Sequence, residues 1–336
     1  LISIDIDHFI TLKNHNINML REIDQIDMLL AKIMYDIKTK QNFAKSDSSL
    51  TNLIEQKIKE TKQNKLLINS SRFKLRLFKM YSRILLQNQD FENLEEFLLN
   101  SLSEFKKNKF FERSNHDEKL TLLTYLVNCL YENKKYNSSL KYAKELKSSM
   151  KEYDGFLEEK YLFYYYNALV LNYGKTDKNK SLETLNEASK NEIIKKIPAY
   201  TSFIYLNTAV LYFQMKKYSL AQKNISRLIL QHDFVNLDTV FQFQIFVFEL
   251  VLRIELNQKD ILNEKITLLK KDFKKLIKSD QFSRESSLID LISEFCKGKD
   301  IEKLLNSFID KYSNISNDRN TIIDYLSWAK NYFKSA

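Results

Sequence analysis

The chain has 336 residues, 44% apolar and 29% charged, a composition that folds rather than stays disordered. Three Gly and one Pro are too few for the many turns of a β-rich or α/β chain, which leaves an all-helical protein. The 53 Lys and Arg against 43 Asp and Glu give +10, compatible with nucleic-acid or membrane-surface partners, but Arg, the usual reader of phosphates and bases, is scarce beside Lys.

Residues 5 to about 43 carry one long helical pattern. Ile10 and Ile17 are seven apart, as are Ile23, Leu30 and Ile37, and Met19, Ile26 and Ile33. The rows make a broad apolar stripe that packs on a partner helix or forms a coiled coil, and a homodimer through these helices is one expected outcome. The stretch SDSSL at 46–50 reads as a polar corner and N-cap for a helix over roughly 48–67. Residues 1–70 are therefore expected as a long helical hairpin, followed by a repeat array over 71–336. Because the first residue is Leu1, an upstream signal peptide or effector domain is compatible with the sequence.

The array announces itself by repetition. The stretches LTYLVNCLYENKKYNSSLKYA (123–143), YYNALVLNYGKTDKNKSLETL (165–185) and YLNTAVLYFQMKKYSLAQKNI (205–225) align without gaps. Tyr131, Tyr173 and Phe213 share the ninth position; Ser139, Ser181 and Ala221 share the seventeenth. A small side chain there lets two antiparallel helices approach closely, and an aromatic fills the space above the crossing. Each helix pair leaves an apolar face, so the next pair must stack on it. FKMYSRILLQNQDFENLEEFLLNSL (78–102), FVFELVLRIELNQKDILNEKITLL (246–269) and LIDLISEFCKGKDIEKLLNSFI (288–309) are weaker copies.

With its aromatics, small residue and KKY corner, the pattern resembles the tetratricopeptide repeat, best matched at 205–231 by Ala209, Tyr212, Tyr218 and Ala221. The period is about 40 rather than 34; Val127, Leu169 and Ala209 replace the family's helix-A Gly, and its terminating Pro is missing. The resemblance implies an all-α, TPR-like α-solenoid of antiparallel helix pairs. It also implies a concave groove, lined by the first helix of each pair, that binds an extended segment of a protein or peptide partner. Carried over, the groove row takes Thr124, Tyr125, Asn128 and Tyr131, then Tyr166, Asn167, Val170 and Tyr173. Leu206, Asn207, Val210, Phe213 and Gln214 continue it, with Glu249 and Arg253 from a fourth helix. Tyr131, Tyr173 and Phe213 would form an aromatic ladder, and Asn128, Asn167 and Asn207 would pair with a partner's backbone. The competing reading makes the aromatics inter-repeat core and the Asn side chains local caps. A carboxylate clamp of the co-chaperone subtype is not expected, since its basic positions are held by Thr124, Phe203 and Asn207.

No cofactor, metal or catalytic site is expected. His8, His15, His116 and His232 lack the spacing of a helical zinc pair, and Gly155, Gly174 and Gly298 are isolated. Cys129 and Cys296 read as buried free thiols, which fits a reducing, cytoplasmic setting. The apolar window 239–256 is interrupted by Gln242, Gln244, Glu249 and Arg253, so it reads as a buried helix rather than a membrane span. The leading expectation is a non-enzymatic interaction scaffold. The alternatives are a ligand- or peptide-responsive sensor module of a larger protein, and a basic α-solenoid binding RNA through KKDFKKLIK (270–278).

Overall fold

The computed structural model describes residues 5–39, 71–313 and 321–335, and these contain helices and turns but no strand. The chain divides between Thr176 and Asp177 into two compact units.

The first unit opens with α1 (Ile6–Thr39). Only part of its predicted stripe is covered. Ile23 and Ile26 are buried against Phe73, Met80 and Ile84 of α2 (Ser71–Gln87), with Met19 packed beside them. Phe9, Ile10, Ile17 and Leu20, nearer the start, are exposed. The predicted cap at 46–50 and helix over 48–67 lie outside the described residues.

Four helices follow α2: α3 (Phe91–Lys107), then α4 (His116–Glu132) and α5 (Tyr136–Met150), and finally α6 (Glu158–Thr176). The weak copy at 78–102 is the α2–α3 hairpin, closed by stacked Phe78 and Phe97 and by the edge of Tyr81 on Phe97. Neighbouring pairs are joined through backbone as well as apolar contact. The Cys129 thiol of α4 donates to the Phe91 carbonyl at 2.9 Å, and Asn133 Nδ2 donates to the same oxygen at 3.0 Å. Burial of that thiol pushes its pKa up to about 12, so it is an inert structural thiol.

The second unit holds α7 (Lys178–Lys190), α8 (Pro198–Gln214), α9 (Tyr218–Ile229), α10 (Thr239–Glu255), α11 (Lys259–Asp272), α12 (Ser283–Cys296), α13 (Glu302–Tyr312) and α14 (Tyr325–Ser335). The apolar window at 239–256 is α10, the centre of this core: Phe243, Ile245, Val247, Phe248, Val251 and Leu252 are all fully buried. Among the described residues no helix is long and apolar enough to cross a membrane. At the end of the unit Trp328 of α14 donates from Nε1 to Glu255 Oε1 at 2.7 Å and stacks on Tyr332.

The repeat register predicted from sequence is the structural one. Ser139, Ser181 and Ala221 are each the fourth residue of the second helix, in α5, α7 and α9, and each is fully buried. Tyr131, Tyr173 and Phe213 are each the sixteenth residue of α4, α6 and α8.

Few glycines are needed because the corners are built on other residues. The α2–α3, α4–α5, α8–α9 and α10–α11 corners turn on Gln89, Lys134, Lys216 and Asn257, all with φ between 54° and 61°. Each closes with the paired hydrogen bonds of a Schellman motif, as in Lys135 N–H to Leu130 and Lys134 N–H to Tyr131. From Lys216 to Asn257 and on to Gly298, the corner between α12 and α13, is 41 residues each time. That extends the repeat through both degenerate copies. The period exceeds 34 because the links between pairs hold short helical turns at Glu152–Gly155, Glu192–Lys195 and His232–Asn236.

Candidate functional site

Helices α2, α4 and α6 all lie in the first unit, where α4 runs beside both of the others. Phe78 of α2 packs on Tyr125 of α4 at 6.5 Å, and Lys79 pairs with Glu118 at 2.7 Å. From α6, Tyr161 donates to the Asp117 carboxylate at 2.9 Å and takes a hydrogen bond from Thr121 at 2.7 Å. Lys160 pairs with the same carboxylate. Burial works against ionising Asp117, but the Lys160 and Tyr161 hydrogen bonds outweigh it and hold this carboxyl below its ordinary value.

Between these helices runs a cleft of about 250 Å³ lined by Leu86, Thr124, Tyr125, Val127, Asn128, Tyr131, Tyr164, Asn167, Ala168, Leu171 and Asn172. It adjoins a second hollow of about 480 Å³ that shares Thr124, Tyr125 and Tyr164 and adds Lys79, Arg83, Asp117, Thr121, Lys160 and Tyr161. The floor is apolar and the rim carries amides and phenols, the make-up of a site that grips an apolar group and orients a polar backbone.

Some polar groups of the first cleft are left open. The side-chain amides of Asn128 and Asn167 have no hydrogen-bond partner among the described residues. Asn172, fully buried, donates from Nδ2 to Ser139 Oγ at 2.9 Å and to the Ala168 carbonyl at 2.8 Å. Its Oδ1 is left without a partner. A buried acceptor without a donor costs about 1–3 kcal/mol.

The structure brings Thr124, Tyr125, Asn128, Tyr131 and Asn167 of the expected row to this cleft, and places the others elsewhere. Tyr166 faces the interior, buried and tilted against Tyr165, because its position on α6 points into the unit. Tyr173 is half-buried and does not line the cleft. In the second unit Asn207 Nδ2 donates to the Phe203 carbonyl of its own helix at 2.8 Å, which fits the local-cap reading. It is also out of step with Asn128: Asn167 and Asn207 are the tenth residues of α6 and α8, Asn128 the thirteenth of α4. Phe213, half-buried, packs on the core between Tyr218 and Phe248 at 5.5 and 5.4 Å rather than forming a ladder. Arg253 is tied to the buried Glu249 carboxylate by Nε at 3.0 Å and by Nη2, with Nη1 on Gln258 at 3.0 Å. Gln214 contributes its backbone carbonyl to Lys178 at 3.4 Å. The expected aromatic ladder is therefore not a single row. Tyr131 and Phe213 instead close their own corners, each against the aromatic that opens the next helix, Tyr136 at 5.8 Å and Tyr218.

Sequence reasoning missed Arg83, Tyr164 and Asn172. Arg83 sits in the weak copy, where alignment gave no register, although it has the corner spacing of Asn128. Among the histidines His116 is buried, His15 is half-buried, and His8 and His232 are exposed. Its ring lies 5.0 Å from Tyr153 and 5.9 Å from Phe156, and both nitrogens lack hydrogen-bond partners.

No protein-family model matches the chain, and no curated protein matches it. Among solved structures it is similar to the apo form of RapI, with a TM-score of 0.63 and 11% identity over 95% of this chain and 99% of that one. It is also similar to the apo form of the quorum sensor NprR from B. thuringiensis, with a TM-score of 0.56 and 12% identity over 98% and 95% of the two chains. At such identity the likeness carries the fold, and with the recurring hairpins it shows a tetratricopeptide-like helical repeat protein.

Proposed function

We propose that this chain is a non-enzymatic binding protein that captures an extended peptide segment in the cleft between α2, α4 and α6. The observation that carries the reading is the pair of unpartnered amides, Asn128 and Asn167, on the rim of an aromatic-lined cleft. An amide offers donor and acceptor together, which matches a peptide unit, and the apolar floor takes a side chain. No carboxylate lines the cleft, and Asp117 in the adjoining hollow is already held by Lys160 and Tyr161.

The test is to pan the immobilised full chain against a randomised heptapeptide library, then repeat with Asn128→Ala/Asn167→Ala. Retention of peptides by the parent and its loss in the double variant, with the helical circular dichroism unchanged, is the expected result. Equal retention by both would remove the cleft from the account.

The second reading is a peptide-responsive sensor module, favoured by the likeness to the quorum sensor NprR over 98% of this chain. It shares the cleft and differs in consequence: peptide would change an output carried by another segment or partner. Nucleic acid is less favoured, since in the 270–278 stretch Lys270 is paired with Asp290 at 2.7 Å and Phe273 is buried. The free thiols of Cys129 and Cys296 suit a reducing, cytoplasmic setting.

A further inference from the structure

The hollow beside the cleft holds a charge that the protein leaves unbalanced. Lys79 is matched by Glu118 and Lys160 by Asp117. Arg83 has no carboxylate partner among the described residues. Its guanidinium lies 5.4 Å from the centroid of the Tyr125 ring, and it is half-buried in the wall of the hollow. Stacking on an aromatic face fixes the plane of a guanidinium while leaving its N–H edge free, a setting suited to a planar carboxylate. Tyr125 lines both hollows, so the cation borders the apolar cleft directly.

Resting on the peptide-binding reading, we infer that Arg83 seats a carboxylate of the bound segment, so that the cleft selects peptides with an acidic group beside an apolar side chain. The register supports this. Counted back from their corners, Arg83 of α2 and Asn128 of α4 occupy the same position, each six residues before the residue of positive φ, Gln89 and Lys134. One extended segment can therefore meet both, its carboxylate at Arg83 and its backbone at Asn128. A basic peptide would meet an uncompensated positive charge, which gives the cleft a means of rejection as well as attraction.

The carboxylate could be a C-terminus or an Asp or Glu side chain, and the experiment separates them. Heptapeptides retained by the full chain are resynthesised in three forms: free acid, C-terminal amide, and free acid with Asp and Glu changed to Asn and Gln. Each is titrated against the parent, Arg83→Gln, Arg83→Lys and Tyr131→Ala by fluorescence polarisation. The expected result is a weakening of about tenfold or more with Arg83→Gln, a smaller loss with Arg83→Lys, and the same loss on neutralising one class of carboxylate in the peptide. Loss with the amide assigns the seat to a C-terminus; loss with the Asn and Gln form assigns it to a side chain. Peptides that depend on Tyr131 but bind Arg83→Gln as tightly as the parent would overturn the carboxylate seat and leave the peptide reading standing. If no heptapeptide is retained, both fall. Circular dichroism on each variant separates lost recognition from lost folding, and Arg83→Lys keeps the charge should Arg83→Gln fail to fold.

Discussion

Ser139 Oγ donates to the Val127 carbonyl at 2.7 Å, a buried bond across the crossing of α4 and α5. The same oxygen accepts from Asn172 of α6, so one small side chain ties three helices together. Ser139→Leu should cost about 3 kcal/mol or more, since it overfills the crossing and strands two polar groups. Ser139→Ala loses the same two hydrogen bonds without overfilling the crossing and should cost less, about 1–3 kcal/mol, in keeping with the natural Ala221 at the equivalent place. Urea midpoints of the two variants check the ranking.

The corners give a gain rather than a loss. Lys134 and Lys216 hold φ of 61° and 57°, a region that costs a side-chain-bearing residue about 1–2 kcal/mol. Glycine avoids most of that cost but pays entropy in the unfolded chain, so Lys134→Gly or Lys216→Gly should stabilise by about 0.5–1 kcal/mol. Thermal unfolding of the single and double variants measures it, with gains that add because the corners are far apart in sequence and in different units.

The helical class, the repeat register and the small-residue crossings were legible because each depends on spacing along one helix or across one corner. Ser139, Ser181 and Ala221 could be aligned before any contact was known. Which face each aromatic presents was not legible. Tyr131 and Phe213 have the same place in their helices, yet Phe213 meets Phe248 from two helices on, and Tyr131 borders the cleft. That difference depends on neighbours remote in sequence. Arg83 escaped for a similar reason: its importance comes from the missing acid around it, a property of the assembled wall.

Those two aromatics should therefore part company when truncated. Phe213→Ala should lower stability by about 2–3 kcal/mol through lost packing and leave peptide retention unchanged. Tyr131→Ala should weaken retention with the smaller loss of stability. Parallel denaturation and polarisation titrations of both variants make the comparison.

His116 gives the protein a pH dependence of known sign. Burial lowers its pKa from the ordinary 6.5, against the pull of nearby Glu152. Between the lowered value and 6.5 the unfolded chain binds a proton that the native state refuses. The stability owed to neutral His116 is thus complete above pH 6.5 and is lost as pH falls through that window. Unfolding free energies at pH 7.5, 6.5 and 5.5 should fall in that order, and His116→Phe should flatten the slope. An unchanged slope in that variant would assign the effect to other groups.

The central claim is that α2, α4 and α6 hold a peptide between them. Amide hydrogen exchange of the full chain, with and without a retained heptapeptide, tests it most directly. Added protection is expected in segments carrying Thr124–Tyr131 and Tyr164–Asn172, abolished by Asn128→Ala/Asn167→Ala. Protection confined to the second unit, or persisting in that double variant, would contradict it.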